Sequence, residues 1–364
     1  MATETLSDRA INRAMLARQL LLERHDLEPD KAVERLAGMQ GQEPKHPYVG
    51  LWTRLTDFES DSLHKTFDDR TVVRATLMRG TLHLFSAKDY LAFRMTLQPV
   101  LAGAMSVLAD RSEGVEPDEV VEAAREVLAD GPMRFAEIRS ALTERFPGLN
   151  DRALGYTTRM LVPLVMVPDG SRWGFPANAP FTLSDDWLGK QPAKRAVPDR
   201  LVLRYLAAFG PATPADFQTW SGLQKAKAVF DKLAGDLVVL KDATGKDLYD
   251  VPDAPRPDED TDAPVRYLPE FDNVLLSHVK RSRIIADDYR PAVFTRNLRV
   301  KATYLVDGMV AGLWVTELKR GVATVRLTPF GKLTKKVRSE LEKEGTSLLE
   351  FLEPAAKSYA VTIE

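Results

Sequence analysis

The chain contains no cysteine among its 364 residues. That removes disulfide frameworks, thiolate nucleophiles and cysteine-ligated zinc in one step. Histidine is scarce as well: five residues, scattered, offer no imidazole metal site, so neither a metal nor a cofactor is expected. No apolar run reaches the roughly 18 residues of a membrane span, and Met1-Ala-Thr-Glu-Thr lacks a basic region followed by an apolar core. No membrane association is expected, and the expected location is cytoplasmic. Net charge is small too, at −2, which argues against a uniformly basic nucleic-acid binder but leaves local fields open.

What is present is ordinary for a globular chain: 44% hydrophobic and 28% charged residues. The length suggests roughly two to four domains. Charge is segregated along it. Asp250 to Asp262 carries six acidic residues and one basic, as a linker would, whereas Arg266 to Lys301 carries eight basic and four acidic, as a binding face would.

Organisation centres on Gln40-Gly41-Gln42, two carboxamides one residue apart, after an amphipathic helix expected over Pro29 to Met39 and before Pro44 and Pro47. In an extended or turn segment both side chains project to one side, because side-chain direction repeats every two residues there. Together they could hold one small polar ligand. Taken alone the spacing is weak, since Gln-x-Gln arises by chance on many surfaces and far more often marks a solvated or capping segment.

The surrounding pattern recurs. A helix from Asp8 to about Arg24 with Ser7 as N-cap, the Pro29 helix, helices near Pro47–Arg54 and Asp61–Phe67, and a hairpin over Thr71 to Phe85 turning at Arg79-Gly80 make one unit. Helices at Pro117–Ala129, Phe135–Phe146 and Asn150–Val162, then a hairpin from Leu164 to Phe175, make a second; helices from Pro198, Thr213 and Gln224, then a hairpin over Leu237 to Tyr249, make a third. Helices followed by a hairpin is the order of a winged helix-turn-helix. The loops Asp130-Gly-Pro-Met-Arg-Phe and Phe209-Gly-Pro-Ala-Thr-Pro support a repeat, against three unrelated α+β segments. Beyond the acidic linker the period changes to two, with turns at Asp307-Gly308 and Lys319-Arg320-Gly321, so a small β-barrel is expected before a final helix over Phe330 to Glu344. The fold class expected is α+β, with three tandem winged helices at 1–112, 113–196 and 197–255 and the barrel at 264–364.

Leu36-Ala-Gly-Met-Gln-Gly-Gln-Glu-Pro, Tyr48-Val-Gly-Leu-Trp-Thr-Arg-Leu, Leu77-Met-Arg-Gly-Thr-Leu-His-Leu and Leu268-Pro-Glu-Phe-Asp-Asn-Val-Leu-Leu-Ser-His stand in this order along the chain. The set resembles the winged-helix DNA glycosylases of the azinomycin-resistance (AlkZ-like) and YcaQ-like type, over nearly the whole length. The resemblance implies the three winged helices and the barrel, a concave DNA-binding shape, and catalysis by the Gln-x-Gln motif, here Gln40 and Gln42. YcaQ-like relatives have Asp at the second position, so Gln42 places the chain nearer the azinomycin-resistance branch. Glycosidases usually employ two carboxylates, and a glutamine cannot transfer a proton at neutral pH. An N7- or N3-alkylated purine supplies its own activation through its fixed positive charge. The enzyme then has to position water and preorganise dipoles toward the oxocarbenium.

The expected partner is damaged double-stranded DNA, bound by a monomer. Arg79 and His83, flanking a hairpin strand, are either a solvated arginine and a packed histidine or contacts to phosphate and the lesion strand. Lys280, Arg281, Arg283, Arg296 and Arg299 are expected to face phosphates. Lys319 and Arg320 are either a plain exposed turn or a minor-groove probe. Asp272 and Asn273 either belong to the site or cap local backbone. A non-enzymatic regulator built from tandem winged helices is the alternative. Such a regulator needs a symmetric dimer with base-reading helices, which Arg152, Arg159, Gln224, Lys225 and Lys227 do not persuasively supply.

Overall fold

The computed structural model describes residues 4–364 and is mixed α+β, with fifteen α-helices and four small sheets among the described residues. No single helix is long and apolar enough to cross a membrane.

The first helix, Asp8–Arg18, begins at Ser7, whose side chain accepts from the Ala10 N–H. It stops six residues before the expected Arg24, because Leu20 takes a left-handed conformation. The helix is buried on most sides: Arg18 forms a buried pair with Asp250 at 2.6 Å, and Asn12 donates to the carbonyls of Arg283 and Gly308. It therefore lies between the third helical segment and the C-terminal sheet. Thr5–Leu6 adds a parallel strand to the Val238–Asp242 and Asp247–Asp250 hairpin.

The second helix, Pro29–Arg35, is also shorter than expected. Ala37 (φ 56°) and Gly38 (φ 85°) turn the chain sharply, and Met39–Gln40 emerges as a two-residue strand. A Cβ on Gly38 would lie 2.0 Å from the Phe85 ring, so both its backbone angle and its surroundings demand glycine. The Val72–Thr76 and Leu82–Ser86 strands form the expected hairpin, and Met39–Gln40 pairs antiparallel with its second strand.

In the second segment the helices Pro117–Val127, Phe135–Arg145 and Asp151–Leu161 stand close to expectation. The return strand does not. Leu164–Met166 pairs with Phe181–Leu183 rather than with residues 171–175, since Trp173 and Phe175 pack edge-on against Tyr48 and Phe67 of the first segment. The third segment carries Pro198–Phe209, Pro214–Ser221 and Lys227–Leu233 before its hairpin.

The C-terminal sheet has five strands, in spatial order Ser358–Ile363, Val322–Pro329, Met309–Lys319, Thr303–Val306, Arg266–Leu268. Its two outer strands do not pair with each other, so the expected closed barrel is instead an open sheet. The helix Lys335–Leu352, longer than the expected Phe330–Glu344, lays Leu341, Leu348, Leu349 and Leu352 on the sheet and fills the space closure would need. Gly345 permits that approach, because a Cβ there would sit 2.7 Å from the Tyr267 hydroxyl.

Candidate active site

Gln40 lies directly opposite His83 in the strand pair, a placement that brings their side chains to one face. The Gly41 N–H donates to the Leu82 carbonyl at 2.8 Å, after which the chain leaves the sheet. Gln40 is buried and Gln42 exposed. The Gln40 Oε1 accepts from the Arg79 guanidinium at 2.8 Å, and the Gln42 Oε1 faces the Leu82 N–H at 3.5 Å, a weak contact. Both carboxamides thus reach the turn between the two hairpin strands.

Two arginines hold this arrangement. Arg74, buried and stacked on the Phe175 ring, donates to the Gly41 and Gln42 carbonyls, each at 3.0 Å, and so fixes the backbone of the motif. Nothing in the sequence marked Arg74; only the hairpin register brings a mid-strand arginine under the motif. Arg79 sits in the turn Met78–Gly80 with φ 55° and donates to Gln40 and to the Trp220 carbonyl. Trp220 lies in the last turn of the helix Pro214–Ser221, where exposed carbonyls favour a cation. Burial and nearby Arg281 push Arg79 down to about 10, which leaves it charged at neutral pH.

Neither histidine at the site is charged. Burial, reinforced by Arg79, pushes His83 down to about 3. Its Nδ1 lies 3.0 Å from the Thr81 carbonyl, which fixes the proton there and leaves Nε2 buried with a bare lone pair. His46 is pushed down to about 4, again by burial first, and its Nδ1 is buried without a partner.

A small pocket beside Gln40 is lined by His46, Glu270, Phe271, Asp272 and Asn273. The Leu268-Pro-Glu-Phe-Asp-Asn stretch therefore forms the wall facing the glutamine motif, and the Asn273 amide donates to the Gly38 carbonyl at 3.1 Å to join the two. Asp272 caps the turn Asn273–Leu275 and is also salt-bridged to buried Arg54 at 2.9 Å. Glu270 is paired with Arg299 at 2.7 Å. Both carboxylates of the pocket thus already face an arginine. His278 bonds to the Phe209 carbonyl, in the third segment, away from this wall.

The sequence-selected cations divide by environment. Arg283 is buried between Asp8 and Asp242, which removes it from any exposed basic face. Lys280 is exposed but pairs with Asp8 at 2.7 Å. Arg281 lies over the Phe294 ring at 4.5 Å with no carboxylate partner among the described residues. Arg296, Lys319 and Arg320 are exposed and likewise unpaired among the described residues. Lys319 and Arg320 stand at the turn between the two longest strands, where Arg320 and Gly321 both have positive φ. Among the described residues no cluster of His, Asp and Glu suits a metal ion.

Comparison with known proteins gives the class, that of the DNA glycosylases. The family of DNA glycosylases described as AlkZ-like matches residues 33–351, and the chain belongs to that family. It is 27% identical over 323 residues to the interstrand DNA cross-link repair glycosylase of Streptomyces sahachiroi, covering 82% of this chain and 85% of that protein. The solved structure of the Streptomyces sahachiroi DNA glycosylase AlkZ superposes with a TM-score of 0.80 at 22% identity, over 99% of this chain and 100% of that one, and shares its fold.

Proposed function

We propose that this DNA glycosylase is monofunctional and hydrolyses the N-glycosidic bond of cationic alkylated purines, N7-alkylguanine and N3-alkyladenine, in double-stranded DNA. The observation that carries the reading is a pocket without a general acid. Its carboxylates Glu270 and Asp272 face arginines, and His46 and His83 are pushed far below neutrality. A neutral base needs a proton to leave; a cationic purine does not. Exposed Gln42 positions the water, and Gln40, whose amide Arg79 keeps from rotating, presents a fixed dipole to the oxocarbenium; Gln40 Oε1 retains a second lone pair for this.

The three helix-plus-hairpin segments act as winged helices at 1–112, 113–196 and 197–255, and with the 264–364 sheet they form a concave DNA clamp as a monomer. Arg296, Lys319 and Arg320 supply its phosphate contacts. The relative's cross-link repair activity extends the substrate range to bulky N7 adducts and interstrand crosslinks, provided C1′ is approached from the minor-groove side without swinging the base into a tight pocket.

The test is single-turnover release of N7-methylguanine, a bulky N7-guanine adduct and uracil from matched duplexes. Release of both cationic bases and retention of uracil is the expected result. Efficient uracil release, or failure on every cationic adduct, would overturn the mechanism; the second outcome would favour a tandem winged-helix DNA-binding regulator.

A further inference from the structure

Leu298 is the most exposed large apolar side chain among the described residues, at 86%. It is held in a left-handed backbone conformation (φ 61°), which a branched side chain adopts only when its surroundings impose it. Here they do. Phe294 and Val300 bridge as an antiparallel pair, the Thr295 N–H donates to the Arg299 carbonyl at 2.9 Å, the Leu298 N–H to the Thr295 carbonyl at 3.0 Å, and the Arg299 N–H to the Thr295 hydroxyl at 3.1 Å. The result is a closed turn with leucine at its tip and Arg296 and Arg299 on its flanks. Water is the worst surroundings for that leucine, and among the described residues nothing covers it.

The turn shares a wall with the Gln40 pocket through two separate links. The Phe271 N–H donates to the Val300 carbonyl at 3.1 Å, and the Arg299 guanidinium pairs with Glu270 at 2.7 Å; Phe271 and Glu270 both line the pocket. On its other side Thr295, Arg299 and Lys301 border a groove whose far wall is Val315 and Arg326 of the C-terminal sheet. An apolar tip beside the unpaired cation Arg296, tied to the catalytic pocket through Arg299, matches duplex DNA: Arg296 meets a phosphate while the leucine enters the base stack.

We propose that Leu298 is a wedge that inserts between base pairs beside the lesion, unstacking the duplex so that C1′ comes within reach of Gln40 and Gln42. The inference rests on the glycosylase reading for the position of the wedge, and on the turn itself for its existence.

The test uses the full chain and a duplex carrying a tetrahydrofuran abasic analogue with 2-aminopurine as its neighbour, whose fluorescence rises on unstacking. Wild-type protein should raise the signal. Leu298→Ala should lose most of the rise, with affinity for this duplex reduced about five- to twentyfold and an unchanged salt slope. Leu298→Phe, a larger wedge, should keep the rise. Arg296→Ala should keep it too but reduce the salt slope by about one unit. Because Leu298 touches little of the fold, thermal unfolding of Leu298→Ala should match wild type, which excludes misfolding as the cause. A full fluorescence rise with Leu298→Ala would overturn the wedge. If no cationic base is released by wild type and the reporter still separates the variants, the glycosylase mechanism fails and the wedge stands; normal excision with an unaltered reporter in Leu298→Ala fails the wedge alone.

Discussion

Arg79 donates to Gln40 Oε1 at 2.8 Å from a left-handed turn, across the strand that also carries His83. Because a guanidinium can only donate, this bond fixes which atom of the Gln40 carboxamide is the oxygen and where it lies, and leaves that oxygen one lone pair free. The arginine thereby links the helix end at Trp220 to the motif, and its donors point inward.

Removing either glutamine should slow single-turnover excision by tens to thousands of fold, on the order of 2–4 kcal/mol, with little change in DNA affinity. Arg79→Ala should slow it about ten- to a hundredfold without changing the salt slope of binding, and should have little further effect in a Gln40→Ala background. Additive losses, or a salt slope reduced by about one unit, would make Arg79 a phosphate contact instead. Arg79→Lys separates charge from geometry: a single ammonium cannot bond Gln40 and Trp220 in the same fork, so it should rescue little.

The cations chosen from sequence should separate in the same way. Alanine at Arg296, Lys319 or Arg320 should weaken binding to damaged and undamaged duplexes alike and cut the salt slope by about one unit each. Arg283→Ala should leave the slope alone and lower stability by about 1–3 kcal/mol in chemical denaturation. The loss is bounded because Asp242 keeps its hydrogen bonds from Thr244 and Lys246. A normal slope in the Lys319→Ala, Arg320→Ala double variant would move the DNA face elsewhere.

This division marks what the sequence could and could not reveal. Helix and strand order followed from periodicity and, at Ser7, from a cap; Asn150 and Thr213, read as the first residues of their helices, are instead the caps just outside them. The Phe181–Leu183 strand was missed because aromatic packing of Trp173 and Phe175 on a distant segment overrides local alternation. The parallel strand Ser358–Ile363 was missed because its partner, Val322–Pro329, lies beyond an 18-residue helix. At the site, the Gln-x-Gln spacing and the Leu268-Pro-Glu-Phe-Asp-Asn stretch are visible in sequence, but their apposition is not, since the Asn273 to Gly38 bond spans 235 residues. The inward turn of Arg283 is equally non-local, set by Asp8 and Asp242.

A second joint, the Arg54–Asp272 pair, ties the Leu268 stretch to the end of the helix Lys45–Trp52 that follows the glutamine motif, and both side chains are almost fully buried. Arg54 also donates to the Gln19 and Gly50 carbonyls, so the pair is held on three sides. Asp272→Ala should destabilise the protein by about 3–5 kcal/mol by leaving a buried guanidinium without its counter-charge. Asp272→Asn, which keeps an acceptor, should cost less but still slow excision, because the pocket wall shifts relative to Gln40. Denaturant midpoints of the two variants against their excision rates check this; a stable Asp272→Ala protein with normal excision would refute the joint.

The last prediction concerns pH. His83 and His46 are neutral in the folded protein down to about 3 and about 4, whereas in the unfolded chain each takes a proton near the ordinary histidine value. Their folded values are depressed, so the unfolded state binds more protons below about pH 6.5, and stability falls as pH drops from there toward 3–4. Each histidine contributes a slope of up to about 1.4 kcal/mol per pH unit within that window and nothing above it. Between pH 6.5 and 8 neither histidine nor Arg79 changes charge, and the glutamines do not titrate, so the excision rate on N7-methylguanine should be flat there once spontaneous depurination is subtracted. His83→Gln should flatten the stability profile below pH 6 relative to wild type while leaving the rate profile above it unchanged in shape. An excision rate that falls with an inflection near pH 6.5–7 and loses that inflection in His83→Gln would show a histidine ionising in catalysis. That would replace a site of fixed dipoles with one that transfers protons, and the restriction to cationic bases would go with it.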